Sequence, residues 1–305
     1  MKRVFLFFTG IICAMPAGIA GGEVMQSSPL PLEDPRLIDP QTLGVTLSHG
    51  RKTREVYVLL HGLTNCPPQF RRLADLLYRS GANVVIPRFP FHGYRDRMTD
   101  AHQNLSAPLL ISTAEAALAQ ARPLGRKVNV IGFSAGGVTA AWVAQNRSDV
   151  NQVMLLAPFF SIGFLPDWMA LPTRDLFSTL PNAFIWWDPR QGRNLKGSPF
   201  AYPRFSTRAV SQLIELGARV FADARREAPR ARKIEILVNP ADLAVNNART
   251  AALRKLWERR APGTVKFRSL PAEWKLPHDF VDPWHPDQRI DQIYPIILRQ
   301  LGIQP

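Results

Sequence analysis

A serine set between glycines, a later aspartate and a still later histidine are the residues of this chain whose types and order could do covalent chemistry. Ser134 stands in Gly132-Phe133-Ser134-Ala135-Gly136-Gly137. Before it, Val128-Asn129-Val130-Ile131 has the apolar run of a buried strand, and after it Val138-Thr139-Ala140-Ala141-Trp142 continues as a helix. A sharp strand-to-helix turn leaves room only for small residues beside the central serine, whose oxygen is thereby kept exposed. The plainer reading is a glycine-rich helix start that serine merely caps. The strand in front and the helix behind favour the nucleophile.

A serine hydroxyl is weakly nucleophilic at neutral pH, so this reading demands a base and an acid that orients it. The run Lys233-Ile234-Glu235-Ile236-Leu237-Val238-Asn239 ends in Pro240-Ala241-Asp242, which places a carboxylate just past the carboxyl end of a strand. Asp242 is the candidate acid; its structural alternative is a turn or capping aspartate ahead of Asn246. After a further strand pattern at 265–270, the loop Leu276-Pro277-His278-Asp279-Phe280 can hang an imidazole over the same rim, making His278 the candidate base. His285 also follows Asp242, but between Trp284 and Pro286 it fits the lead-in to a final helix over 288–301.

Acyl transfer develops negative charge on the former carbonyl oxygen, which preoriented backbone donors stabilise. Strand 56–60 runs into His61-Gly62-Leu63-Thr64-Asn65, where glycine permits a tight turn. The donors expected for this oxyanion hole are the backbone N–H groups of Leu63 and of Ala135, the residue after the nucleophile. His61 reads as a support that bonds the loop backbone, and Cys66 as a buried or simply free thiol.

Positioning these groups requires a sheet. Apolar runs at 56–60, 84–87, 128–131, 153–157, 234–238 and 265–270 alternate with helical patterns at 69–80, 107–121, 135–145 and 247–260. That alternation predicts an α/β fold, a mostly parallel central sheet with helices on both faces. Such a sheet carries chemistry at the carboxyl ends of its strands. The interval 159–232 is too long for one crossover and rich in aromatics, among them Phe164, Trp168, Trp186 and Trp187. It is expected to be an inserted cap, or lid, over a core made of 51–158 and 233–305, although any one of its aromatics could equally serve packing alone.

At the start, Met1-Lys2-Arg3, an apolar run and the small residues up to Ala20 have the pattern of a secretory signal peptide over 1–20, and Pro16 interrupts the run too early for a membrane span. Export to the periplasm or beyond follows. The proline-rich stretch 21–50 is expected to be an extended lead-in. The chain has 305 residues, 46% hydrophobic and 20% charged, enough for a sizeable core and unlike a disordered chain. Two cysteines exclude a disulfide framework and a four-thiolate zinc site. Lys+Arg 38 against Asp+Glu 24 gives a net charge of +14. The basic pairs are scattered and no reader motif accompanies them, so nucleic acid is not an expected partner, and transient contact with an anionic membrane surface is the remaining use of that charge.

Taken in order, Val-Leu-Leu-His-Gly-Leu-Thr-Asn at 58–65, Phe-Pro-Phe-His-Gly at 89–93, Gly-Phe-Ser-Ala-Gly-Gly at 132–137, Asn-Pro-Ala-Asp-Leu-Ala-Val at 239–245 and Pro-His-Asp at 277–279 resemble the α/β-hydrolase superfamily, most closely its serine esterase and monoacylglycerol-lipase-like branch. The resemblance implies hydrolysis of a small-molecule carboxylic ester, apolar or lipid-like, through an acyl-serine intermediate, with no metal or organic cofactor. It departs at Phe91, where relatives commonly have glycine. Serine peptidases, acyltransferases and thioesterases share the same acyl-enzyme step, and a non-catalytic binder could share the scaffold.

Overall fold

Strands buried on both faces need no polar alternation, and the runs read above as apolar all join one seven-stranded sheet, five of them in its interior and 265–270 at its edge. The computed structural model describes residues 30–304; the expected signal peptide, 1–20, and the first part of the lead-in lie outside the described residues. In chain order the elements are β1 (Val45–Leu47), β2 (Thr53–Leu60), α1 (Arg71–Arg79), β3 (Asn83–Ile86), α2 (Ala107–Ala121), β4 (Gly125–Phe133), α3 (Ala135–Asn146), β5 (Gln152–Leu156), α4 (Ala170–Thr179), β6 (Phe184–Trp186), β7 (Arg204–Ser206), α5 (Thr207–Arg226), β8 (Lys233–Val238), α6 (Asn247–Arg260), β9 (Val265–Ser269) and α7 (Ile290–Leu301). The sheet order is β1-β3-β2-β4-β5-β8-β9. Only β1 pairs antiparallel; the other neighbours in this sheet are parallel.

Register brings the carboxyl ends of the central strands level. Leu60 of β2 faces Gly132 of β4, Phe133 of β4 faces Leu156 of β5, and Leu156 faces Leu237 of β8. The loops that follow β2, β4 and β8 therefore leave from one rim. Helices are started where the sequence offers a capping oxygen: Ser106, Ser206 and Asn246 accept from the N–H groups of Leu109, Ala209 and Arg249. Each cap satisfies a donor that the first helical turn leaves unpaired.

The lead-in is more than extended chain. Its residues 45–47 form the edge strand β1, and Ile38 bridges to Tyr94. Glu33 forms a largely buried ion pair with Arg88 at 2.8 Å. A three-residue strand is too short for periodicity to announce, and its pairing is decided by tertiary contact.

The interval 159–232 is not uniform. It contains α4, the antiparallel pair β6 and β7, and α5. Val210, Leu213, Ile214, Gly217, Val220 and Phe221 give α5 a buried stripe at helical spacing, and α5 packs against α3 and α4 within the main core. Helix α5 thus serves as the crossover between β5 and β8, and the part of the interval that comes over the rim ends before Thr207. The aromatics divide accordingly: Phe160 is buried against Phe221, whereas Phe164 and Trp168 are exposed.

Two glycines let α3 start directly against the strand ends. A Cβ on Gly132 would lie 2.0 Å from the Gly136 carbonyl oxygen, and one on Gly136 would lie 1.9 Å from the Leu60 carbonyl oxygen. Both obstacles are backbone and cannot swing aside. Gly136→Ala is therefore expected to lower unfolding stability by about 3 kcal/mol or more in a urea titration; an unchanged midpoint would contradict this packing.

Candidate active site

At the end of β4 the chain turns sharply into α3, and Ser134 occupies the turn with φ 53° and ψ −108°. This left-handed region is unfavourable for a residue with a Cβ, at a cost of roughly 1–3 kcal/mol. Backbone hydrogen bonds impose it. Ser134 N–H donates to the Leu156 carbonyl at 3.0 Å, Phe159 N–H donates to the Ser134 carbonyl at 3.0 Å, and Gly136 N–H donates to the His61 carbonyl at 3.0 Å.

The structure brings the three expected side chains together. His278 Nε2 lies 2.9 Å from Ser134 Oγ, and His278 Nδ1 lies 2.6 Å from Asp242 Oδ2. A carboxylate only accepts, so Nδ1 carries the proton and Nε2 of the neutral ring accepts from the serine hydroxyl. The other oxygen of Asp242 accepts from the Ala244 N–H at 2.8 Å. Asp242 is buried, and its loop is fixed to the His278 loop by Asn239, whose side-chain amide donates to the Leu276 and Pro277 carbonyls at 2.9 and 3.2 Å. Nothing in the sequence distinguishes Asn239 from an ordinary turn residue; only the folded loops reveal its role. His285 lines the cavity beside the triad but bonds its own loop, where Nδ1 accepts from the Asp287 N–H at 3.2 Å.

The expected oxyanion donors flank this serine. Leu63 is buried and lines the same cavity as Ser134, and Ala135 is its immediate neighbour in the chain. Among the described residues neither N–H has a protein acceptor. The turn is made differently from the expectation: Thr64, at φ 64°, is its left-handed residue, while Gly62 is needed for close approach, since a Cβ there would lie 3.2 Å from the Phe133 ring. His61 bonds the loop backbone: Nδ1 donates to the Gly62 carbonyl at 2.9 Å and Nε2 accepts from the Phe89 N–H at 3.0 Å. Because C=O and N–H of one peptide point in opposite directions, a bond to the Gly62 carbonyl aims the Leu63 N–H away from His61. At Phe91 the backbone is left-handed too, with φ 64°, so the large side chain occupies a conformation suited to glycine. Glu33 and Tyr202 hold it by bonds to its N–H and carbonyl at 2.9 and 3.1 Å.

Further side chains tie the oxyanion loop to its surroundings. Gln69 Oε1 accepts the Gly62 N–H at 2.8 Å while Gln69 Nε2 donates to Asp279 at 3.0 Å. Asn65 donates to Asp282 at 2.8 Å. From the insertion, the Trp187 indole donates to Thr64 Oγ1 at 2.9 Å and Tyr202 N–H donates to the Thr64 carbonyl at 2.8 Å. The cavity at Ser134 measures about 490 Å³, and Leu63, Phe133, Trp187 and Leu195 meet Lys196 and Asp188 on its walls.

Electrostatics separate His278 from the other histidines of this region. Burial acts to lower its pKa, but the Asp242 charge and hydrogen bond, with Asp279, raise it above the ordinary imidazole value. Burial instead drives His61 well below that value and brings His92 and His102 down to about 4 and about 3, so those rings are neutral at pH 7. Burial also pushes the Cys66 thiol up, away from the thiolate form. Burial and the neighbouring Asp279 push Asp282 up to about 7. No group of three or more metal-ligating side chains occurs among the described residues. The His278 ring is expected to titrate above 6.5 by NMR in the intact protein and to fall in Asp242→Asn, because Asp279 alone then opposes burial; an unmoved titration would disconnect the two residues.

The comparisons with known proteins bear on the fold. The family model described as alpha/beta hydrolase fold matches residues 56–204. A structure from work on two metagenome-derived lipolytic enzymes, LipS and LipT, is 19% identical with a TM-score of 0.67, covering 87% of this chain and 98% of its own. The monoacylglycerol lipase of Paleococcus ferrophilus is 17% identical with a TM-score of 0.63, covering 85% of this chain and 97% of its own. A soluble variant of the monoglyceride lipase of Saccharomyces cerevisiae, in complex with a substrate analog, is 14% identical with a TM-score of 0.62, covering 85% of this chain and 90% of its own. No curated protein matches the chain by sequence. With a mostly parallel sheet, a serine on a strained turn after its central strand and a matching family model, the chain has the alpha/beta hydrolase fold.

Proposed function

We propose that this protein is a serine hydrolase that cleaves carboxylic esters through an acyl-serine intermediate. The observation that carries the reading is the continuous hydrogen-bonded path from Ser134 Oγ through His278 to Asp242, opening on a cavity beside two unpaired backbone N–H groups. A weak alcohol nucleophile needs those parts and no others.

In this reading His278 Nε2 takes the Ser134 proton as Oγ attacks the ester carbonyl carbon. Asp242 keeps the ring in the required tautomer and stabilises the imidazolium. The N–H groups of Leu63 and Ala135 hold the oxyanion. Collapse of the tetrahedral intermediate returns the proton from His278 to the departing alcohol. Water, deprotonated by the same ring, then attacks the acyl-serine and releases the acid. The base must be neutral to act, so kcat/KM is expected to rise with pH through the His278 pKa, on the alkaline side of 6.5.

An ester with an apolar acyl or alcohol portion is the substrate class we favour. Leu63, Phe133, Trp187, Leu195 and Tyr202 furnish apolar wall, and the structural neighbours named above include lipases. Ser134→Ala is expected to reduce turnover of a p-nitrophenyl ester by about 10⁴-fold or more, leaving the fold intact by circular dichroism. Undiminished turnover in that variant would end the assignment. A series of p-nitrophenyl esters, with matched amides and thioesters, measures the preference; faster amide than ester cleavage would replace the esterase reading with a peptidase one.

A further inference from the structure

We infer that Gln69 and Asp279 are positioning residues that set the oxyanion donor at Leu63 and the base at His278 as one unit, an inference that rests on the serine-hydrolase reading above. The geometry is a chain of directed contacts. The Gly62 N–H is a donor only, so the side-chain oxygen of Gln69, at 2.8 Å, must face it. The amide nitrogen of Gln69 is thereby turned to the opposite side, where Asp279 Oδ1 accepts from it at 3.0 Å. Asp279 is the residue after His278 in the chain. An amide locked at both ends cannot flip without leaving one partner unsatisfied, and in a buried place that costs roughly 1–3 kcal/mol.

The consequence for the oxyanion donor follows from peptide planarity. Gln69 fixes the His61–Gly62 peptide through its N–H, and His61 fixes the next peptide through the Gly62 carbonyl at 2.9 Å. The Leu63 N–H belongs to that second peptide. Its direction is therefore set by two side chains, together with the Asn65 N–H on the Gly62 carbonyl at 3.3 Å, and one of the two side chains is anchored on the loop that carries the base. Neither Gln69 nor Asp279 needs to touch the reacting atoms for this. A displacement of about 1 Å at a catalytic group can cost on the order of 10²-fold in rate, so the anchor is worth far more to turnover than to binding.

The test uses the full chain, p-nitrophenyl butyrate and phenylboronic acid, which forms a tetrahedral serine adduct with one oxygen at the oxyanion position. Gln69→Leu and Asp279→Ala are expected to lower kcat by about 10- to 100-fold with KM unchanged, and to weaken the boronate by the same factor. Asp279→Asn keeps a carbonyl oxygen for the Gln69 amide and is expected to retain most of kcat. Both Asp279 variants remove the same charge from beside His278, so they are compared on the high-pH plateau, where His278 is neutral. The double variant Gln69→Leu with Asp279→Ala is expected to be no worse than the worse single one.

Equal loss in Asp279→Asn and Asp279→Ala, multiplying losses in the double variant, or wild-type kcat in Gln69→Leu would each overturn the inference. Should Gln69→Leu fail to fold, the Asp279 pair decides alone. Failure of the underlying reading looks different: the wild-type protein itself would take no fluorophosphonate label at Ser134.

Discussion

The close seating of helix α3 on the ends of β2 and β4 is the constraint from which the site follows. Gly132 and Gly136 permit it, since any Cβ there would collide with main-chain atoms. The seating forces Ser134 into a left-handed conformation at the end of β4, with Ala135 the next residue. It also draws the Gly136 N–H onto the carbonyl of His61, the residue that opens the opposing loop. The proposed nucleophile and the Ala135 donor thus follow from one backbone contact, stabilised by the central sheet packed beneath it, while the Leu63 N–H is set by Gln69 and His61.

Around this contact the protein distributes protons unevenly. Asp242 is buried with both oxygens occupied, and His278 gains its raised pKa from that carboxylate against the opposing effect of burial. His61 and His92 lie behind the oxyanion loop without a carboxylate partner and remain neutral scaffolding. The contrast shows why residue type alone does not identify a base: the local charge, rather than the imidazole, makes the difference.

Much of this was legible in the sequence because the relevant signals are local. Alternating apolar runs and helical stripes marked the sheet, and the glycines around Ser134 marked the turn. Asp242 and His278 could be placed because strand ends fix where loops begin. What escaped was decided by contacts distant along the chain. The edge strand at 45–47 exists only through its pairing with 84–86, and α5 joins the core because its stripe finds α3. Glycine at 62 pointed to a tight turn, and the left-handed residue of that turn is Thr64. Gln69, Asn239 and Asn65 are ordinary amides until two loops approach them.

The paired acids under the base-bearing loop give this corner an unusual proton inventory. Asp282 in the folded chain holds its proton up to about 7, well above an exposed aspartate, with Asp279 beside it raised as well. Folding therefore takes up protons between the unfolded value near 4 and neutrality, and the contribution of these groups to stability is greatest in acid and is lost as pH climbs through that window. Alkali rather than acid is where these two acids contribute least to the seam between the loops that carry Asn65 and His278.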